Sequence, residues 1–159
     1  MIVRPASPKD AIAIAAIWNR EIRDGVSTFN AIEKSAQDVA TLVSSRPEAF
    51  FVCDIEGLVV GFATYSGFRS GVGYAQSGEH TIYLKAVARG QGIGRAMMSA
   101  LEQSARNAGL HVLVAGIGGE NQSGIAFHQA MGFVETGRLP EVGRKFDRWM
   151  DLVLMQKIL

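Results

Sequence analysis

The chain has a single cysteine and no apolar run long enough to cross a bilayer. Because Cys53 is the only thiol among 159 residues, no disulfide or cysteine metal cluster can form within the chain, and we predict no metal site. The longest apolar run, residues 11–18, is far shorter than the roughly 20 residues of a membrane-spanning helix. These features favour neither a membrane partner nor a signal peptide, and a cytoplasmic location is the default expectation.

An excess of one charge sign is also missing. The chain has 16 Lys and Arg residues against 15 Asp and Glu residues, which gives a formal net charge of +1. Without a block of like charge, nothing supports a nucleic-acid or anionic-membrane partner. No linker, repeat or low-complexity tract divides the chain, so one domain covering residues 1–159 is expected at this length.

What the chain does have is a glycine-rich turn, Arg89-Gly90-Gln91-Gly92-Ile93-Gly94. It follows a predicted strand at residues 81–87 and precedes an amphipathic helix. A turn in this position leaves unpaired N–H groups at a helix N-terminus, where the macrodipole favours negative charge. The spacing is neither the dinucleotide pattern G-x-G-x-x-G nor a P-loop. We therefore predict an anion site that fits a pyrophosphate, with a plain connecting turn as the alternative.

The remaining pattern predicts an α/β chain of the mixed (α+β) kind, with helices on both faces of a largely antiparallel sheet. Helices are indicated at about residues 8–23, 35–45, 93–108 and 121–131. Strands are indicated at residues 2–5, 50–55, 58–66, 81–87, 111–117, 133–138 and 146–157. Gly61 lies inside one of these strands and marks a bulge or a close approach of two segments.

Residues 67–78 contain four glycines, which argues against regular structure there. The same segment carries Phe68, Arg69 and Tyr74, which a mere linker does not require. A loop with an aromatic ring and a guanidinium, leading into the central strand, is where we expect a small anionic substrate. A flexible connector is the alternative.

Several peptides of the chain resemble the GNAT family of N-acetyltransferases, and within it the phosphinothricin and methionine sulfoximine acetyltransferase branch. They are Glu79-His80-Thr81-Ile82-Tyr83-Leu84, the glycine-rich turn at residues 89–94, Asn121 with His128, Gly132-Phe133, residues 142–151 and Met155-Gln156. The resemblance extends from end to end. It implies the GNAT fold, acetyl-CoA as cosubstrate, a small-molecule amine as acceptor and a homodimer. Two departures are Gly124, where the branch often has serine, and Ser70-Gly71, where relatives often have bulkier residues.

The resemblance also implies a role for each site residue. Glu79 is the base that deprotonates the amine, directly or through water, with a solvated carboxylate as its alternative. His128 is either a general acid for the leaving thiolate or a structural histidine. The coenzyme contacts are Ile82, Tyr83, Leu84, Arg89, Gly90, Gln91, Gly92, Ile93, Gly94, Arg95 and Asn121. The substrate contacts are Arg69, Ser70, Gly71, Glu79, His80 and Thr81.

The implied reaction needs an oxyanion site as well. The resemblance implies that the central strand splays near Leu84, so that backbone N–H groups there can meet the thioester carbonyl. The expected activity is acetylation of the α-amine of phosphinothricin, methionine sulfoximine or methionine sulfone. Two alternatives stay open: acetylation of another amine, such as a protein N-terminus, and coenzyme A binding without catalysis, against which Glu79 argues.

Overall fold

The computed structural model describes all 159 residues and contains seven strands and four α-helices. The strands are β1 (Ile2–Pro5), β2 (Phe50–Ile55), β3 (Leu58–Gly67), β4 (Ser77–Leu84), β5 (Val112–Gly118), β6 (Val134–Lys145) and β7 (Arg148–Ile158). The helices are α1 (Ala11–Asp24), α2 (Ala36–Ser45), α3 (Ile93–Asn107) and α4 (Gln122–Ala130). None of these helices combines the length and the apolar character needed to cross a membrane.

The strands form one mixed sheet in the order β1-β2-β3-β4-β5-β7-β6. Every neighbouring pair is antiparallel except β4 and β5, which are parallel. The helix α3 lies between these two strands in the chain, as a parallel connection requires. The predicted mixed and mostly antiparallel sheet is therefore confirmed.

Two hydrophobic cores cover the two faces of this sheet. On one face α1 and α2 bury 13 residues, and Trp18 packs against Phe62 with ring centroids 4.9 Å apart. On the other face 19 buried residues, among them Met97 of α3 and Ile125 of α4, form the larger core. Cys53 is fully buried in that second core, as expected of a packed strand cysteine. The predicted helices on both faces are confirmed.

The central strand starts earlier and ends earlier than its sequence pattern predicts. Gly78 pairs with Gly67 of β3 and with Leu113 of β5, so pairing on both sides holds it in β4 despite its low strand propensity. A Cβ at Gly78 would overlap Leu110, which shows why a glycine is used at this close approach. β4 ends at Leu84 because residues 86–88 form a short 3-10 turn.

The two last strands form a longer hairpin than predicted. The strand expected at residues 133–138 continues to Lys145, and the next strand begins at Arg148. Phe146 and Asp147 connect them with φ values of 54° and 57°. Two consecutive left-handed residues make the tight turn whose twist matches a hairpin.

The bulge expected at Gly61 is confirmed. Cys53 pairs with Gly61 while Asp54 pairs with Val59, so Val60 is an extra residue in β3. The carbonyl of Val60 accepts a hydrogen bond from the N–H of Lys85 at 2.8 Å. A Cβ at Gly61 would also overlap the Leu84 side chain. The bulge thus fixes the point at which the chain leaves β4.

The contact between β4 and β5 is short. Only Ser77, Gly78 and Glu79 of β4 pair with β5, at Val112, Leu113 and Val114. β5 then continues to Gly118 alongside β7, while β4 continues to Leu84 alongside β3. The two strands therefore diverge after Glu79 and leave a gap in the sheet, and this divergence begins earlier than the splay expected near Leu84.

Candidate active-site cleft

A cleft of about 1150 Å³ opens where β4 and β5 diverge. It is lined by the end of α1, residues 25–30 (hereafter the 25–30 loop), β4 from Glu79, the glycine-rich turn, residues 115–117 of β5 and the face of α4. Small-molecule sites commonly measure about 300–1000 Å³. This cleft is therefore large enough for two reactants side by side.

The glycine-rich turn presents an open backbone at one end of the cleft. Gly90 and Gly92 have φ values of 74° and 76°, and a Cβ at either would meet nothing within 4 Å. Gly92 is the N-cap of α3, and the first N–H groups of the helix that follows it lack intrahelical partners. Gly94 differs, because a Cβ there would lie 3.0 Å from the ring of Phe127. Two of the glycines shape the backbone, and the third lets α3 pack against α4.

Side chains around the turn divide into lining and supporting residues. Arg89 and Arg95 line the cleft together with Lys85, which places three cations near the open amides. Arg89 also pairs with Glu21 of α1 at 3.3 Å. Gln91 does not line the cleft. Its side chain is directed at the preceding turn, where Nε2 donates to the carbonyl of Val87 at 2.7 Å. Ile93 is buried in the larger core, so its contribution to the site is limited to its backbone.

The stretch of β4 beyond Glu79 supplies backbone to the cleft and side chains to the cores. Ile82 and Leu84 pack against the core on the α3 face, whereas Tyr83 packs against the core on the α1 face. Burial raises the pKa of Tyr83 well above its usual value, with Glu21 adding to the effect, so its phenol stays protonated. Thr81 and these three residues all line the cleft. The side chains of Ile82, Tyr83 and Leu84 therefore pack in the cores, and the assignment of this stretch to the coenzyme stays a prediction.

Glu79 lies at the point where β4 and β5 part. Although Glu79 keeps a solvent-exposed surface, partial burial in the cleft raises the pKa of its carboxyl, which makes it a stronger base than a fully solvated glutamate. A Cβ at Gly116 of β5 would lie 3.2 Å from Glu79 Oε1, so this glycine leaves room for the carboxylate. Leu152 of β7 lies on the same side, 3.7 Å from that Cβ position.

His80 and His128 form a buried pair at the edge of the cleft, each about 7% exposed. Their Nε2 atoms are 2.9 Å apart, and His128 Nδ1 lies 2.7 Å from the carbonyl oxygen of Gly124. Because a carbonyl only accepts, His128 Nδ1 donates, and its neutral ring then accepts from His80 Nε2. Burial, and next the neighbouring His128, lowers the pKa of His80 to about 3, and burial lowers the pKa of His128. The pair is therefore neutral at pH 7.

This pair changes how the two histidines are interpreted. His80 packs against His128 and Phe133, with ring centroids 5.1 Å apart in each case, and its Nδ1 is buried without a partner. Both ring nitrogens of His128 are engaged, so proton donation to a ligand would require one of its hydrogen bonds to break. The two residues are 48 positions apart, and no local pattern in the sequence links them.

Asn121 is the N-cap of α4. Its Oδ1 accepts from the N–H of Gly124 at 2.9 Å and from Ser123 Oγ at 3.1 Å. Its Nδ2 donates to Ser27 Oγ in the 25–30 loop at 3.1 Å, which leaves one N–H of the amide for a ligand. A Cβ at Gly124 would overlap the Asn121 amide. The capping position of the Asn121 side chain therefore requires a glycine at position 124.

The predicted substrate contacts of residues 69–71 lie outside the cleft. Arg69, Ser70 and Gly71 are exposed, and none of them lines it. The guanidinium of Arg69 lies over the ring of Tyr74, 5.6 Å from its centroid. Their assignment to the substrate remains a prediction. The 25–30 loop, which does line the cleft, reads in the sequence as a polar break, and Val26 and Phe29 are its apolar residues.

Comparison with known proteins places this geometry among acetyltransferases. Residues 3–154 match the protein family described as acetyltransferase (GNAT) domain. The L-amino acid N-acyltransferase MnaT of Escherichia coli K12 is 36% identical over 98% of this chain and 92% of its own length. The L-methionine sulfoximine/L-methionine sulfone acetyltransferase of Salmonella typhimurium LT2 is 33% identical over 98% and 93%.

Solved structures agree with the sequence relatives. A ribosomal-protein-alanine N-acetyltransferase from Brucella melitensis superposes with a TM-score of 0.95 at 38% identity, covering 100% of both chains. A GNAT superfamily phosphinothricin acetyltransferase from Sinorhizobium meliloti, in complex with acetyl-CoA, superposes with a TM-score of 0.93 at 34% identity, covering 99% of this chain and 88% of its own. The fold expected from the sequence is therefore confirmed.

Proposed function

Because the chain belongs to the GNAT acetyltransferase family, we propose that it transfers the acetyl group of acetyl-CoA to the α-amine of a small amino-acid analogue. Methionine sulfoximine, methionine sulfone and phosphinothricin are the acceptors that its relatives' names support. One observation carries the proposal. A single cleft holds an open helix N-terminus at one end and Glu79, a carboxylate whose pKa burial raises, at the other.

The coenzyme fits the end of the cleft at the glycine-rich turn. The open N–H groups of the turn and of the start of α3 suit a pyrophosphate, and Arg89 and Arg95 add positive charge. The gap between β4 and β5 leaves one edge of β4 without a strand partner after Glu79. An extended pantetheine arm can pair with that edge as a peptide pairs in strand addition. The backbone of Ile82, Tyr83 and Leu84 is assigned to this contact.

The chemistry of the proposal assigns a proton step to Glu79. The free amine attacks the thioester carbonyl carbon, the new C–N bond forms, and the C–S bond breaks as the thiolate leaves. An amine of pKa about 8 or above is mostly protonated at pH 7, so Glu79 removes its proton, directly or through water. A thiol of pKa about 8.5 leaves readily without an acid. The two hydrogen bonds of His128 favour a positioning role over direct donation.

Assembly and location extend the proposal. The edge strand β6 exposes Val134, Leu139 and Val142, an apolar surface of the kind that a homodimer buries. On this ground we expect a homodimer. We also expect the enzyme to act in the cytoplasm, where acetyl-CoA is available. Arg69 would bind the carboxylate or phosphinate of the acceptor only if residues 67–78 move from their present position outside the cleft.

A second acceptor class has its own support. The Brucella melitensis neighbour, at 38% identity over the whole chain, is named for acetylating the alanine of a ribosomal protein. A protein N-terminus is therefore the alternative acceptor. Binding of coenzyme A without catalysis is disfavoured because Glu79 adjoins the gap in the sheet.

The test is a thiol-release assay with a panel of amines at saturating acetyl-CoA. The panel contains methionine sulfoximine, methionine sulfone, phosphinothricin, the natural amino acids and a peptide that begins with alanine. We expect release with at least one of the three analogues and a lower kcat/KM for the peptide. Turnover of the peptide alone would move the assignment to the second class. Calorimetric uptake of acetyl-CoA without release for any amine would leave only a binding protein.

A further inference from the structure

Lys145, at the end of β6, is a buried lysine whose partners are all backbone carbonyls. It is 8% exposed. Its Nζ donates to the carbonyl oxygens of Glu21 at 3.0 Å, Gly25 at 2.6 Å and Thr28 at 2.9 Å. An ammonium has three N–H donors, so all of them are used. The contacts join the last strand hairpin to the end of α1 and to the 25–30 loop.

Two glycines, one on β5 and one on β6, leave room for the same loop. A Cβ at Gly118 of β5 would overlap the carbonyl oxygen of Val26, and a Cβ at Gly143 of β6 would overlap the ring of Phe29. Asn121 adds the hydrogen bond to Ser27 Oγ. The loop is thus held by β5, β6 and the start of α4, none of which is near it in the chain.

The loop lies on the same side of the sheet as the Glu79 carboxylate. The carboxylate adjoins the Cβ position of Gly116, and Val26 adjoins that of Gly118. Residues two apart on a strand share a face, so both contacts are on one face of β5. The loop and the carboxylate therefore border the same part of the cleft. The glycine-rich turn connects to this wall through Glu21 of α1, whose carboxylate pairs with Arg89 at 3.3 Å and accepts a hydrogen bond from Ser27 Oγ at 3.0 Å.

We propose that Lys145 is a positioning residue that fixes the wall of the amine site, because it holds two carbonyls of the 25–30 loop and one at the end of α1. The inference rests on the proposed function for the identity of the amine. Arginine cannot replace Lys145, since a planar guanidinium cannot direct three N–H groups from one nitrogen at carbonyls 2.6–3.0 Å away. The role also explains a buried cation whose hydrogen bonds all go to carbonyls, while the charges of Glu21 and Asp24 act on it without direct contact.

The test compares Lys145→Met with Arg144→Met. Methionine keeps most of the apolar stem of lysine and removes the three donors. Arg144 is the adjacent residue, it is exposed with its guanidinium 4.7 Å from the Trp149 ring centroid, and its loss removes the same charge. For Lys145→Met we expect the KM of methionine sulfoximine to rise about tenfold and the KM of acetyl-CoA to stay within about twofold. Hydrogen exchange at residues 25–30 should accelerate, and Arg144→Met should change none of these.

A second variant protects the test against misfolding. Gly143→Ala displaces Phe29 while leaving Lys145 in place, and it should give the same selective rise in the KM of the amine. An unchanged KM of the amine together with unchanged exchange in Lys145→Met would overturn the inference. Parallel rises in both KM values in the two loop variants would also overturn it, because they would indicate a general structural role.

The two proposals fail in different ways. A wild-type protein that acetylates no amine would defeat the proposed function. The exchange measurement needs no substrate, so it tests independently whether Lys145 holds the 25–30 loop. Exchange equal to that of the wild type would reject the role of Lys145 even in an active enzyme.

Discussion

The two ends of the cleft are built in different ways. The anion end is one continuous stretch of chain, in which β4, the glycine-rich turn and α3 follow one another. The wall beside Glu79 is the 25–30 loop, whose Ser27 is held by a residue 94 positions away. Lys145, which holds the same wall, is 117 to 124 positions from its three partners. The first end is a local property of the sequence, and the second exists only after the sheet has formed.

Glu79 belongs to the second end of the cleft, and its replacement should have the largest effect. We expect Glu79→Gln to lower kcat about 100-fold, which is the usual size of general-base catalysis, and to leave acetyl-CoA affinity within about twofold. Turnover assays and calorimetry provide the two measurements. Unchanged turnover would remove Glu79 from the role of base.

The pH profile of the wild type sharpens the same point. A base must be ionised, so kcat/KM should fall at acidic pH as Glu79 becomes protonated. Because burial raises the pKa of Glu79, the midpoint of this fall should lie above 4.3, the ordinary pKa of glutamate. The profile of Glu79→Gln should lack this acidic limb. A limb of equal position in both proteins would assign it to another group.

His80 combines a local position in the chain with a contact to a distant residue. It belongs to the continuous stretch, but its ring depends on His128 of α4. Its pKa is about 3 when folded and about 6.5 when unfolded, so the unfolded chain binds more protons between these values. Stability is therefore lost as the pH falls through this range. From pH 7.5 to 5 we expect His80 alone to lower the free energy of unfolding by about 2 kcal/mol.

Urea unfolding at the two pH values measures this loss. His80→Asn should show a smaller pH dependence than the wild type. His111→Gln, at an exposed histidine, is the matched control and should retain the wild-type dependence. An equal pH dependence in all three proteins would contradict the neutral buried pair.

The anion end can be tested with the two glycines that flank α3, Gly92 before it and Gly109 after it. Gly92→Ala forces a left-handed alanine at φ 76°, at a cost of about 1–2 kcal/mol, beside the open N–H groups. We expect the KM of acetyl-CoA to rise about tenfold and the KM of the amine to remain within about twofold, the reverse of Lys145→Met. Gly109→Ala, at φ 81° after the end of α3, carries the same backbone cost away from the cleft. A similar rise in both variants would show that stability alone causes it.

This contrast also explains which features could be predicted from the sequence. The turn at residues 89–94 was predictable because its function depends on backbone shape, which glycine spacing encodes locally. The start of β4 was misplaced because Gly78 is held in the strand by its neighbours on both sides. His80 was assigned to the substrate, although its burial depends on a residue of α4. The 25–30 loop was missed because its anchors lie in β5, β6 and α4.

The short pairing between β4 and β5 has a consequence for the distance between the two halves of the sheet. Three residue pairs join a half-sheet built from residues 2–84 to one built from residues 112–158. The 25–30 loop belongs to the first half but rests on Gly118, Gly143 and Lys145 of the second. The loop therefore connects the two halves across the cleft. These contacts are formed by the protein alone, so they set the separation of the two halves without a ligand.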